Sequence, residues 1–142
     1  MYNWFDCKIK YEKVCEDGVE RTVTESYLVD AVSFTEAEAR IVEEMKQYVS
    51  GGFSVANISR KKFAETLLSK DGDKYYNARL AYITLNEKTG GEKLQNVNFL
   101  VRAEDIDGAL DTVRAEMRKT MIDYSITGIS ETAIVDVLPY KI

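Results

Sequence analysis

Two aromatic and four basic side chains carry the chemistry this sequence can offer. Trp4, Lys8 and Lys10 stand at even spacing in Trp4-Phe5-Asp6-Cys7-Lys8-Ile9-Lys10-Tyr11, and Tyr75 and Arg79 do so in Tyr75-Tyr76-Asn77-Ala78-Arg79-Leu80-Ala81-Tyr82. Alternate residues of an extended strand share one face, so each set stands on one side of its strand. Arg102 joins them from Phe99-Leu100-Val101-Arg102-Ala103. Indole and phenol rings offer stacking surfaces to unpaired bases, at about 1–3 kcal/mol per base, while Lys and Arg follow the phosphate backbone. Ser26, Asn96 and Asn98 share the parity and carry groups that can read base edges. Four basic residues against two acidic ones, Asp6 and Asp30, leave this face at +2 in a chain of net charge −5. The expectation is an exposed sheet face that binds single-stranded nucleic acid. The competing expectation is that Trp4 and Tyr75 are ordinary strand residues, covered by the other half of the chain or by a second subunit.

Enzymatic signatures are missing. The chain has no histidine, which removes Ser-His and Cys-His nucleophile pairs and histidine metal sites. Asp71-Gly72-Asp73 lacks the remaining ligands of a calcium loop and reads as a turn, as does Gly90-Gly91, which has no following Lys-Ser/Thr. Cys7 falls on the inward parity, where thiols are usually inert, and Cys15 reads as a free thiol near a turn. The expectation is a non-enzyme without metal or cofactor.

The elements that would position these residues occur twice. Trp4–Tyr11 returns at Tyr75–Tyr82, Tyr27-Leu28-Val29-Asp30-Ala31 at Phe99–Ala103, and Phe53–Ser59 at Tyr124–Ser130, with separations of 71, 72 and 71 residues. Internal duplication sets architecture before any single element does. Each half reads strand, hairpin, strand, helix, strand. In the first, Phe5, Cys7, Ile9 and Tyr11 alternate inward, Asp17-Gly18 turns the chain, and Tyr27, Val29 and Ala31 return inward. In the second, Tyr76, Ala78, Leu80 and Tyr82 precede a Thr89-Gly90-Gly91 turn and the inward Val97, Phe99, Val101 and Ala103.

The helices follow at once. Ser33-Phe34-Thr35-Glu36 fits a capping box ahead of the stripe Ala37, Ile41, Val42, Met45 and Val49, with Gly51-Gly52 expected to end it. Asp105 is the corresponding cap for Ala109, Leu110, Val113, Met117 and Met121. Alternation then slips between Val55 and Ile58, and again between Ile126 and Ile129, which suggests a β-bulge in each third strand. Residues 63–68 read as one arm of a hairpin joining the halves, and Ala133–Leu138 is expected to pair with the opening strand near Trp4. The fold class expected is α+β: tandem duplicated ββαβ units in one twisted, mainly antiparallel sheet, with two helices on one face and a pseudo-twofold relation. The chain is expected to be a single domain, 1–142, built of repeats at about 1–70 and 71–142.

Length and composition suit that reading. A chain of 142 residues can bury roughly 68–70% of its unfolded surface. A single proline and the absence of Ser/Pro/Gly-rich stretches argue against disorder. No apolar run approaches the roughly 20 residues of a membrane span, and the first residues lack the pattern of a secretory signal. Two irregularly spaced cysteines do not make a disulfide framework, so a cytoplasmic location is expected. Net acidity lowers the expectation of nonspecific duplex binding, which phosphate neutralisation drives.

Three stretches resemble a family of small uncharacterised proteins labelled only as a domain of unknown function and found in gut bacteria and their phages. These are Trp4 to Tyr11, Tyr27 to Arg40 and Ile129 to Tyr140. The resemblance implies a cytoplasmic, phage-associated protein and brings no catalytic or ligand residues. The function expected is therefore a non-enzymatic binding protein, with Trp4, Lys8, Lys10, Tyr75, Arg79 and Arg102 on single-stranded nucleic acid. The alternative is a protein-interaction or self-assembly module of a phage or mobile element. A homodimer is expected in either case, because Trp4, Leu28, Tyr75 and Leu100 would leave apolar surface outward.

Overall fold

Alternating patterning produces long hairpins, each followed by an amphipathic helix. The structure, a computed structural model, describes residues 3–49 and 51–139, which leaves Tyr140 of the resembling stretch outside the described residues. In chain order the elements are β1 (Asn3–Val14), β2 (Glu20–Ala31), α1 (Phe34–Tyr48), β3 (Phe53–Lys61) and β4 (Glu65–Leu67). The same order returns as β5 (Lys74–Leu85), β6 (Glu92–Ala103), α2 (Ile106–Met117), β7 (Asp123–Glu131) and β8 (Ile134–Leu138). The class is α+β, and the duplicated ββαβ order is present, each copy followed by one further short strand.

The strands form two four-stranded sheets rather than one continuous sheet, in the orders β3-β1-β2-β8 and β4-β6-β5-β7. The reason lies in β4 and β8. β8 lies parallel to β2, with Leu28 opposite Val137 and Val29 opposite Leu138, and β4 lies parallel to β6, with Leu67 opposite Val101. Each sheet therefore takes its last strand from the other half of the sequence. Two expectations are corrected here. Residues 133–138 join β2 and not β1, because both edges of β1 are already taken by β2 and β3. Residues 63–73 do not form a hairpin with β5, because β5 is bounded by β6 and β7. The chain accordingly divides into two compact units, Met1–Lys62 with Ala133–Ile142, and Phe63–Thr132.

Within the first unit, α1 packs Ala37, Ile41 and Met45 against Phe5, Cys7, Ile9, Tyr27, Val29 and Ala31. Within the second, α2 packs Ala109, Val113 and Met117 against Tyr76, Ala78, Leu80, Phe99, Val101 and Ala103. Burying aromatic and aliphatic side chains at these sites supplies the main favourable term, about 1.5–3 kcal/mol for each large residue. Gly18 and Gly90 adopt the left-handed backbone (φ +78° and +72°) that closes the two hairpins. The expected bulges are present. Lys8 faces Asn57 while Ile9 faces Val55, leaving Ala56 extra, and Arg79 faces Gly128 while Leu80 faces Ile126, leaving Thr127 extra.

The helix ends differ from expectation in three details. Ser33 Oγ accepts from the Glu36 amide at 3.1 Å and Asp105 Oδ1 from the Gly108 amide at 2.7 Å, so both caps form. Glu36 does not reach back to complete the box, and its buried Oε1 has no hydrogen-bond partner. α1 ends at Tyr48 with Val49 as cap, so Gly51-Gly52 plays no left-handed capping role. α2 ends at Met117, which leaves Met121 fully exposed and off the buried stripe.

Candidate functional site

The residues expected to bind nucleic acid fall into two groups, one per unit. In the first unit β1 carries Trp4, Lys8 and Lys10 on the face turned away from α1. Register places Lys61 of β3 opposite Trp4, Asn57 opposite Lys8 and Ser54 opposite Lys10. Trp4 is half-buried and Lys10 is exposed. Lys8 Nζ lies 3.8 Å from Asp6 Oδ2, its side chain 41% exposed. The Asp6 carboxylate is nearly buried, and its other oxygen has no hydrogen-bond partner. Lys8 thus supplies charge to a neighbour that needs it as well as to solvent.

The second unit departs further from expectation. Tyr75 is only 5% exposed, so its ring is not open to a stacking base. Arg102 is committed to the backbone: Nε donates to the Lys70 carbonyl at 2.9 Å, and Nη2 donates to the Leu68 carbonyl. Arg79 is exposed and lies across β7, its Nη2 3.6 Å from where a Cβ on Gly128 would stand. Leu28 and Leu100, expected to leave apolar surface outward, are fully buried, and Asp30 and Ala81 are nearly so. The sheet faces away from the helices are therefore not open along their length. Alternation identified the faces correctly but could not say how much of each is covered.

Burial pushes the Cys7 thiol up to about 12, with the charges of Asp6 and Glu38 adding to it. Tyr11 donates to the Glu25 carboxylate, and that bond, then burial, raises Tyr11 to about 12. Burial, then the Glu25 charge, raises Tyr27 to about 12. These groups stay protonated and serve as hydrogen-bond donors or packing. Among the described residues no three His, Cys, Asp or Glu side chains are grouped to hold a metal ion.

What residue-by-residue reading could not place is which strands form the sheet edges. Among the described residues β3 pairs only with β1 and β7 only with β5, so each nine-residue strand has one unpaired side, the shorter β8 and β4 forming the opposite edges. Ser54, Ala56, Asn57, Arg60 and Lys61 are exposed along β3, and Asp123, Ser125, Thr127, Ser130 and Glu131 along β7. The basic run Arg60-Lys61-Lys62 was a legible signal. Only topology shows that it ends an open edge.

The family described as Domain of unknown function (DUF4494) matches residues 3–140. The chain belongs to that family. No curated protein and no solved structure matches it. Membership in DUF4494 assigns no catalytic or ligand residue, so the functional reading rests on the geometry above. Among the described residues no helix is long and apolar enough to cross a membrane.

Proposed function

We propose that this DUF4494 chain is a non-enzymatic protein-interaction module that self-assembles through its open sheet edges. The observation that carries the reading is the pair of nine-residue edge strands, β3 and β7, each paired on one side only among the described residues and carrying exposed side chains along its length. An unpaired edge presents a row of backbone donors and acceptors that another strand can satisfy, and alternate side chains then give specificity. Light scattering across a concentration series tests it. Growth beyond the monomer at micromolar concentration is expected, and a monomer throughout the high micromolar range would end the assembly reading.

A second reading, single-stranded nucleic-acid binding, is favoured by one observation: Trp4 stands opposite Lys61, with Lys8 and exposed Lys10 further along the same face of β1. Its contact set is Trp4, Lys8, Lys10 and Lys61, all in the first unit. Tyr75 and Arg102 are withdrawn from it. Labelled single strands would bind with salt-sensitive affinity, weakened at all salts by Trp4→Ala and with a flatter salt slope in Lys10→Ala. Lack of binding at low salt and micromolar protein eliminates this reading. We further propose a cytoplasmic, phage-associated setting, supported by two unbridged thiols, Cys7 and Cys15, and by the sequence resemblance.

A further inference from the structure

β3 and β7 are complementary to each other rather than each to itself. β3 ends in Arg60 and Lys61, followed by Lys62, whereas β7 begins at Asp123 and ends at Glu131. Among the described residues neither Lys61 nor Asp123 has an ion pair; Glu131 lies 3.7 Å from Lys74. We infer that a second copy of this chain adds its β7 to β3, antiparallel and in full register, with Lys61 opposite Asp123 and Phe53 opposite Glu131. This deepens the assembly reading and rests on it.

Face parity supports that register. Phe53, Val55, Ile58 and Arg60 oppose the inward residues of β1, so they lie on the α1 side of β3. Tyr124, Ile126, Ile129 and Glu131 oppose the inward residues of β5 in the same way. Directly opposed residues of an antiparallel pair share a face. With Lys61 opposite Asp123, Val55 meets Ile129, Ile58 meets Ile126 and Arg60 meets Tyr124 on one face. Ser54 then meets Ser130, and Ser59 meets Ser125, on the other. A one-residue slip would place each strand's apolar side chains on the wrong face, so the register is strongly specified. The two bulges, at Ala56 and Thr127, fall side by side in this register, so the parity is restored on both strands together.

Charge selects between partners. An antiparallel β3–β3 pair in the face-matched register sets Phe53 opposite Arg60 and offers Lys61 no carboxylate, while β7–β7 sets Tyr124 opposite Glu131 and brings the acidic ends of the two copies together. Opposite charges directly opposed add roughly 0.2–1 kcal/mol to a strand pair, and of the three pairings only β3 with β7 opposes Lys61 to a carboxylate. A lysine and a bulge on an edge also discourage indiscriminate pairing, leaving the strand with the matching bulge and the acidic start as the preferred partner. Each copy offers one β3 and one β7. The contact is therefore heterologous and propagates unless it closes into a ring.

Charge reversal with mixing tests the inference. Sedimentation of full-length wild type, Lys61→Glu, Asp123→Lys and an equimolar mixture of the two variants gives the comparison. Wild type is expected to associate, and each single variant to associate about tenfold more weakly. The mixture regains association. In it the reversed β3 of one variant meets the reversed β7 of the other with the two charges exchanged, and the unaltered Lys61 and Asp123 still meet between unlike copies. Circular dichroism confirms that each variant is folded. A wild type that is monomeric overturns both this inference and the assembly reading. A wild type that assembles with no loss in the variants, or no recovery in the mixture, overturns the β3–β7 pairing alone.

Discussion

Gly72 passes so close to the end of β6 that a Cβ built on it would stand 2.4 Å from the carbonyl carbon of Ala103. The neighbouring atoms are backbone, held in the ladder opposite Lys74, so they cannot rotate away. Gly72→Ala should therefore destabilise by about 1–3 kcal/mol, the usual scale for forced overpacking. Gly51→Ala is the control, since nothing lies within 4 Å of its added methyl. Equal urea midpoints for the two variants would show that the approach at Gly72 is looser than described.

The same loop is fastened by Arg102, whose guanidinium donates to the Leu68 and Lys70 carbonyls just beyond β4. In the first unit Arg40 does the corresponding job for β8, donating to the Asp30 carbonyl and, at 2.8 Å, to that of Pro139. Each exchanged strand is thus held at its end by an arginine of the unit it joins. Arg102→Ala should speed amide hydrogen exchange in β4 at least severalfold while leaving β1 and β3 unchanged, because short edge strands open locally. Uniform acceleration throughout the chain would mean that Arg102 acts on global stability instead.

Phe5 and Phe99 occupy the two helix-facing cores and are essentially inaccessible. Phe5 also meets Phe34 edge-on at 4.8 Å, with the Arg60 guanidinium 5.5 Å above its ring. Truncation of either to Ala should cost on the order of 3–5 kcal/mol in chemical denaturation. A loss below about 1 kcal/mol would contradict the packing.

Alkaline titration probes the buried thiol and phenols. Cys7 is raised from 9.0, and Tyr11 and Tyr27 from 10.0, each to about 12. The folded state holds these protons more tightly than the unfolded chain. The stability they contribute is present in full below about pH 9 and lost as pH rises through about 12. The denaturation midpoint should fall steadily across that window, and less so in Cys7→Ala. Cys7 should also resist thiol reagents in the native protein while Cys15 reacts. Rapid labelling of Cys7 without denaturant would contradict its burial.

Local patterning determined a great deal by itself. All nine buried positions of the first core recur in the second, 71 residues on for Phe5, Cys7 and Ile9 and 72 for Tyr27, Val29, Ala31, Ala37, Ile41 and Met45. Period-two and helical spacing, Ser and Asp caps, glycine turns and the two bulges are short-range effects written in adjacent residues, which is why they were legible. The destination of β4 and β8 was not. Three or five residues carry too little pattern to name a partner strand, and parallel pairing with a distant hairpin depends on which edges remain vacant. The same limit governed the candidate site. Sequence parity put Tyr75 and Arg102 on a sheet face with Trp4 and Lys10, but exposure is a property of the whole packed chain. Tertiary structure decided that Tyr75 is buried and Arg102 engaged with backbone carbonyls, and it left β3 and β7 as the long edge strands of the two sheets.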